Sequence, residues 1–222
     1  MAAYPIFIVD RYFIEMKGVN SMKEDIVTLI LMGGENKRMG GNHKAFLEFQ
    51  GESFLEKIVH EMAPFSPVVL SVNEAEKFNR LNNPVLANYP MIIDEVKGIG
   101  PMGGIYTALK ELDYTYVFVT ACDMPFMTAK LGEFMYEKIK ALKPAPSALV
   151  LSDHEGKFSP LGGIYSKQLL PYIEEMIKNE NYRLGKLLKI SDAFILPISE
   201  TPFNDDVLRN INTPDEYNGI LL

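Results

Sequence analysis

Residues 33–44, GGENKRMGGNHK, place four glycines and three cations within twelve positions. Against Glu35, the cations Lys37, Arg38 and Lys44 give this segment a net charge of +2, in a chain whose formal net charge is −7. Glycine permits close backbone approach and positive φ, so Gly33 and Gly34 can let amides converge on phosphate oxygens. Arg38 offers a planar fork for phosphate, and Lys44 a compact charge. The segment has neither the GxxxxGK[ST] spacing of a P-loop nor the GxGxxG order of a dinucleotide fingerprint. On composition alone it is equally well an ordinary surface loop with solvated charges. Further along, Asn73, Asp94 and Asp123 each follow a short β-rich run. An exposed carboxylate there suits Mg²⁺, which takes oxygen ligands and is commonly held by one or two carboxylates together with substrate phosphates. The simpler role for each is turn or cap formation, which Asp and Asn favour.

These residues need elements to position them. Ile26–Met32 (IVTLILM) is a continuous apolar run of the kind a strand buried on both faces requires. Pro67–Val72, Met91–Ile93 and Tyr116–Thr120 repeat that pattern; the first two end at Asn73 and Asp94, and the third shortly before Cys122-Asp123. Ser53 and Glu56 have capping-box spacing ahead of a helical apolar period (Leu55, Ile58, Val59, Met62). GIGPMGGIYTALKEL reads as a glycine-rich turn entering a helix, and Thr128 caps a helix through about Leu142. Ser147–Leu151 reads as a strand, Leu161–Tyr165 as a return strand, Lys167–Asn179 and Leu184–Ile190 as helices, and Ala193–Ile198 as a strand. Thr213 and Pro214 suit the cap and first position of a last helix. Alternating strands and helices imply an α/β fold with a mainly parallel sheet. In such sheets ligands bind outside the carboxyl ends of the strands, where glycine, Asn73, Asp94 and Asp123 fall.

Composition narrows the function classes. A chain of 222 residues, 47% hydrophobic and 23% charged, is globular and long enough for a core without staples. The acidic balance disfavours nonspecific nucleic-acid binding, whose affinity comes from Lys and Arg. One cysteine, Cys122, and three dispersed histidines (His43, His60, His154) make a disulfide framework or a Cys/His metal cluster a poor expectation. Cys122 reads as a small buried residue rather than a nucleophile. Residues 1–25 lack the basic n-region and apolar stretch of a secretory signal, and read as a peripheral extension to a single domain over 26–222. With no apolar stretch of membrane-spanning length, the expected location is cytoplasmic.

LMGGENKRMGGNHKAFLEFQGESFLE closely resembles the LAGGxSxRMGxxKxxLxxxGxxxLxx loop of nucleotidyltransferases, particularly the molybdenum cofactor guanylyltransferase (MobA) family. The resemblance continues in order through VVLSVN, MIID, GIGPMGGIYTALKEL, FVTACDMPFM, SPLGGIY, NYRLGKLL and NINTPDEY, from about Ile26 to Tyr217. Two positions depart from the pattern: Met32, where a small alanine is usual, and Asn36, where a small residue is common. The resemblance implies a Rossmann-like three-layer α/β/α fold and transfer of GMP from MgGTP to the phosphate of molybdopterin cofactor, with release of pyrophosphate. It assigns Arg38, Lys44 and Asp123 to catalysis, and Leu31, Met32, Gly33, Gly34, Lys44, Asn73, Asp94 and Asp123 to the nucleotide. Asp123 is also implied as the Mg²⁺ ligand. Arg183, Asn210 and Asn212 are implied on the pterin side, where a solvated cation and a helix entry are the plainer readings. Implied protein partners are molybdenum cofactor biosynthesis proteins or recipient molybdoenzymes. Other substrates on the same fold (molybdopterin with CTP, or a sugar phosphate) and a non-catalytic nucleotide or cofactor adaptor are the alternatives.

Overall fold

Every residue of IVTLIL is buried, so the strand it forms, β1 (Ile26–Leu31), can lie only inside a sheet covered on both faces. In the computed structural model, which describes residue 23 and residues 25–32, 44–73 and 88–221, that is its place. The chain continues as the short strands β2 (Glu48–Phe49) and β3 (Glu52–Ser53), α1 (Phe54–Met62), β4 (Val68–Val72) and β5 (Met91–Ile93). Then come α2 (Pro101–Glu111), β6 (Tyr116–Ala121), α3 (Ala129–Ala141), β7 (Ala148–Ser152) and β8 (Phe158–Ser166). The last elements are α4 (Leu170–Lys178), α5 (Leu184–Ile190), β9 (Ala193–Pro197) and α6 (Pro214–Leu221).

Seven strands form one sheet in the order β5-β4-β1-β6-β8-β7-β9, and β2 pairs with β3 apart from it. β8 runs antiparallel to both neighbours, and the other pairings are parallel, so the expected mainly parallel sheet is present. Register identifies the two faces. Thr28 pairs with Phe118 and shares its face, while Leu31, an odd number of residues on, shares the opposite face with its partner Ser71. Gly132 of α3 packs on Phe65, whose ring meets Phe118 edge to face, so α1 and α3 cover the first face. Gly104 of α2 packs on Leu31 and Ser71, so α2, with α4 against it, covers the second. Three layers result.

The capping box is formed: the Ser53 side chain accepts from the Glu56 backbone, and Glu56 accepts from the Ser53 backbone. Thr128 caps α3 as its position in the sequence predicts. The β2–β3 hairpin was not expected. Its turn places Gln50 and Gly51 at φ 58° and 87°, the primed geometry normally announced by Asn-Gly, and glutamine does not advertise it. Among the described residues no helix is long and apolar enough to cross a membrane.

Candidate active site

The strand order reverses between β1 and β6: the chain builds outward through β4 and β5, then returns to the other side of β1. Crevices for ligands open at such switch points, at the carboxyl ends of the strands. Hydrogen bonding extends one residue past the strands there. Met32 N donates to Ser71 O (2.9 Å), Cys122 N to Leu31 O (3.2 Å) and Asp94 N to Val72 O (3.0 Å). Those bonds set Met32, Cys122 and Asp94 side by side on one edge, with Asn73 and Asp123 next in sequence to bonded residues.

Asp123 is the centre of the site. Its side chain is 17% exposed and that of Lys44 18%, with Lys44 Nζ 3.5 Å from Asp123 Oδ2. At that separation the contact is an ion pair rather than a well-formed hydrogen bond. Burial pushes the Asp123 carboxyl above the ordinary carboxylate range, and the Lys44 charge opposes that shift. Asp123 Oδ1 is buried and, among the described residues, has no hydrogen-bond partner. A buried carboxylate oxygen without a donor is costly, and a cation or a ligand's donor would satisfy it. The donor set fits Mg²⁺ in the shared mode, in which one carboxylate oxygen supplements phosphates and water. Among the described residues no group of three or more His, Cys, Asp or Glu could form a complete protein cage.

Lys44 is held more firmly from the other side. It opens the short 3₁₀ turn Lys44–Phe46, and its Nζ donates to Asn212 Oδ1 at 2.7 Å, across 168 positions of sequence. Ile211 N donates to Asp123 O (2.8 Å), so the C-terminal segment is pinned to the β6 exit by its backbone as well. A small aromatic core explains how that segment gets there. Phe49, Phe54 and Ile211 are buried together, with Leu47, Phe126, Tyr217 and Ile220 around them. Phe49 meets both Phe54 and Phe126 edge to face, and Tyr217 meets Phe54 in the same way. The Tyr217 hydroxyl also donates to Glu48 O (2.6 Å).

Asp94 is 6% exposed; its Oδ1 accepts from Ser71 Oγ (2.7 Å), and a Cβ added at Gly103 of α2 would stand 3.1 Å from its Oδ2. Burial raises its pKa, with the Ser71 hydrogen bond opposing. It does not cap α2, whose N-cap is Gly100. Asn73 is half-buried at the β4 exit, its Oδ1 buried without a partner among the described residues. Leu31 and Met32 are both buried, and at 1% exposure the unusual Met32 side chain belongs to the core. Its bulk is therefore absorbed beneath the edge. Cys122 is buried, as its reading as a small core residue expects, and burial with the Asp123 charge pushes its thiol up to about 12.

The remaining expected residues divide. Gly33, Gly34 and Arg38 lie outside the described residues. Arg183 precedes α5 and is exposed; its neighbour Gly185 packs near Phe158 at the start of β8, farther along the same edge of the sheet. Asn210 is half-buried beside the pinned Ile211. The structure thus joins Lys44, Asp123 and Asn212 directly, and places Asn73 and Asp94 at neighbouring strand exits. Two contributors escaped the reading of the sequence. Ser71, which holds Asp94, sits inside an apolar run and carries no signal of its own. Glu216, whose Oε2 accepts from the backbones of Asn212 (2.6 Å) and Thr213 (2.9 Å), was legible in principle, since Thr213–Glu216 has the same spacing as Ser53–Glu56.

Comparison with known proteins bears on the family and the fold. Residues 28–194 match the family model described as the MobA-like NTP transferase domain. A "Probable molybdenum cofactor guanylyltransferase" of Geobacillus sp. (strain WCH70) is 30% identical over 199 residues, covering 87% of this chain and 96% of that protein. One of the same name from Aquifex aeolicus (strain VF5) is 32% identical over 216 residues, covering 95% and 96%. The crystal structure of molybdopterin-guanine dinucleotide biosynthesis protein A from Archaeoglobus fulgidus shares the fold, with a TM-score of 0.74 at 23% identity, covering 88% of this chain and 96% of that one. An edge that gathers Lys44, Asp123 and Asn212 at the switch point, and a sequence match across three quarters of the chain, lead to one statement: this chain belongs to the MobA-like NTP transferase domain family.

Proposed function

We propose that the protein is a molybdenum cofactor guanylyltransferase, transferring GMP from MgGTP to the terminal phosphate of molybdopterin cofactor. The observation that carries this reading is the Lys44–Asp123–Asn212 constellation, in which a lysine is shared between a carboxylate and an amide and one buried carboxylate oxygen is left open. The acceptor's phosphate oxygen attacks the α-phosphorus of GTP. The bond from that phosphorus to the bridging oxygen breaks, and pyrophosphate leaves with its electron pair. A phosphate monoester is already a nucleophile, so the chain needs no general base; its work is alignment and charge neutralisation.

Lys44 faces the triphosphate and offsets negative charge as it moves toward pyrophosphate, with Arg38 assigned to the same task. Asp123 Oδ1 is the oxygen that would hold Mg²⁺. When bound, Mg²⁺ supplies Lewis-acid neutralisation of the phosphate oxygens. Backbone groups from Leu31 to Gly34 are assigned to base and phosphates, and Asn73 and Asp94 to the nucleoside. Arg183, near the start of β8, and Asn210, beside Ile211, are assigned to the pterin, with Asn212 at the boundary between the two substrates. The deciding measurement is incubation with molybdopterin cofactor and equimolar GTP and CTP, followed by mass analysis of the product and a pyrophosphate assay. A guanine dinucleotide product with stoichiometric pyrophosphate is expected. A cytosine product, or nucleotide binding without pyrophosphate release, would overturn the assignment.

A further inference from the structure

Asn212 can hold the Lys44 ammonium only while its own backbone is fixed, because it lies in an irregular stretch between Ile211 and the first turn of α6. Two attachments fix it. On one side Ile211 N bonds to Asp123 O; on the other, Glu216 Oε2 accepts from Asn212 N at 2.6 Å and from Thr213 N at 2.9 Å. Thr213 Oγ1 returns an acceptor to Glu216 N at 3.2 Å, completing a reciprocal cap. An ordinary capping box needs only the Thr213 pair. The bond to Asn212 N is additional and shorter, and it reaches the residue whose side chain engages Lys44.

We infer that Glu216 is a positioning residue of the transfer site, acting through Asn212 to hold Lys44 beside Asp123. The inference rests on the functional reading above only for its kinetic consequences; the coupling of Glu216 to Lys44 stands on geometry alone. Glu216 touches neither Lys44 nor Asp123 in a hydrogen bond among the described residues. Its charge also reaches Asp123, where it raises the carboxyl's pKa, but its hold on Lys44 passes through the Asn212 backbone to the Asn212 amide oxygen and from there to the ammonium. Without the carboxylate, Asn212 N loses its acceptor, one of the two backbone hydrogen bonds flanking Asn212 is gone, and the Lys44 ammonium loses a fixed partner. Hydrogen-bond partners that orient the ligands of a metal site typically contribute ten- to a hundredfold to affinity or activity, which sets the scale for a group that orients Lys44.

The test compares wild type with Glu216→Ala, Glu216→Gln, Thr213→Ala, Asn212→Ala and the Asn212→Ala/Glu216→Ala double variant. Two readouts are taken on folded protein. The first, independent of turnover, is the rate at which a lysine-selective acetylating reagent modifies Lys44, followed by peptide mass spectrometry. The second is kcat/KM for pyrophosphate release. Glu216→Ala is expected to raise Lys44 acetylation several-fold and to lower kcat/KM by roughly ten- to a hundredfold, chiefly in kcat. Glu216→Gln, which keeps an acceptor oxygen, restores most of both. Thr213→Ala removes the reciprocal cap but leaves the Asn212 N bond; it lowers Tm while leaving Lys44 reactivity and kcat/KM near wild type. The double variant matches Asn212→Ala, because the two act in series. Unchanged Lys44 reactivity in Glu216→Ala, an equal effect from Thr213→Ala, or additive effects in the double variant would overturn the inference. If wild type fails to release pyrophosphate, the functional reading falls, and the acetylation rates still decide the role of Glu216.

Discussion

Asp123 is a carboxylate kept where water would serve it better. Burial raises its pKa, the ion pair with Lys44 is long, and Oδ1 has no partner among the described residues. Such a group is destabilising unless a ligand completes it. Replacing it with an isosteric amide removes the desolvated charge and retains an oxygen for Lys44. Asp123→Asn should therefore unfold at an equal or higher temperature than wild type while losing pyrophosphate release by on the order of 10²-fold or more. Differential scanning calorimetry beside a coupled pyrophosphate assay checks both halves; turnover near wild type with saturating Mg²⁺ would remove Asp123 from the metal role. A buried run ends beside Asp123, but on that pattern alone turn formation is the plainer role; the resemblance of FVTACDMPFM to the family motif is what singles it out. Asn212 could be found only as a residue, since its bond to Lys44 spans 168 positions.

At the scale of elements, α2 shows why two glycines occupy a helix. A Cβ at Gly104 would meet Ser71 Oγ at 2.3 Å and Leu31 Cδ2 at 2.7 Å. Alanine gains about 1 kcal/mol of helix propensity there, but overpacking a closed contact costs about 1–3 kcal/mol. Gly104→Ala should lower the urea midpoint, and by moving Ser71 it should also disturb Asp94, weakening GTP binding measured by titration calorimetry. On the other face, α1 depends on Glu56, whose pKa is lowered by hydrogen bonds from the Ser53 side chain and backbone. A depressed carboxylate stabilises above its unfolded value, near 4.5, and loses that contribution as pH falls through the lower folded value. The stability gap between wild type and Glu56→Ala, about 0.3–1.5 kcal/mol at neutral pH, should therefore narrow only below pH 4.5. Urea denaturation at several pH values measures it; a gap that already closes above that range would count against the cap. This element was legible because a cap is local, three residues from donor to acceptor.

At the scale of the whole molecule, two cores of unequal size lie among the described residues. The large one holds the sheet and its helices; the small aromatic one holds the first hairpin to the last helix. Ile139 belongs to the former and Ile211 to the latter, and both are fully buried. Truncating either to alanine should cost about 2–5 kcal/mol. Only Ile211→Ala should also lower kcat/KM of the remaining folded protein, because Ile211 precedes Asn212 and is bonded to Asp123. Equal kinetics in the two variants would show that the small core does not serve the site. The net charge of −7 belongs to this scale too: it describes the outer surface, whereas the triphosphate would be met by a cationic segment of twelve residues.

The order of strands and helices, the caps of α1 and α3 and the polar residues at the strand exits were all determined by the sequence itself. Each depends on periodicity or on spacing within a few residues, which a chain carries wherever it folds. Matching of motifs in order also identified the family. Only the tertiary structure decided that the return strand β8 inserts between β6 and β7, that Ser71 holds Asp94, that Met32 is absorbed by the core, and that Lys44 lies between Asp123 and Asn212. Those relations depend on sheet order and register, where a slip of one residue turns every side chain to the other face. Nothing local encodes that choice; it is made when the whole apolar pattern is buried at once.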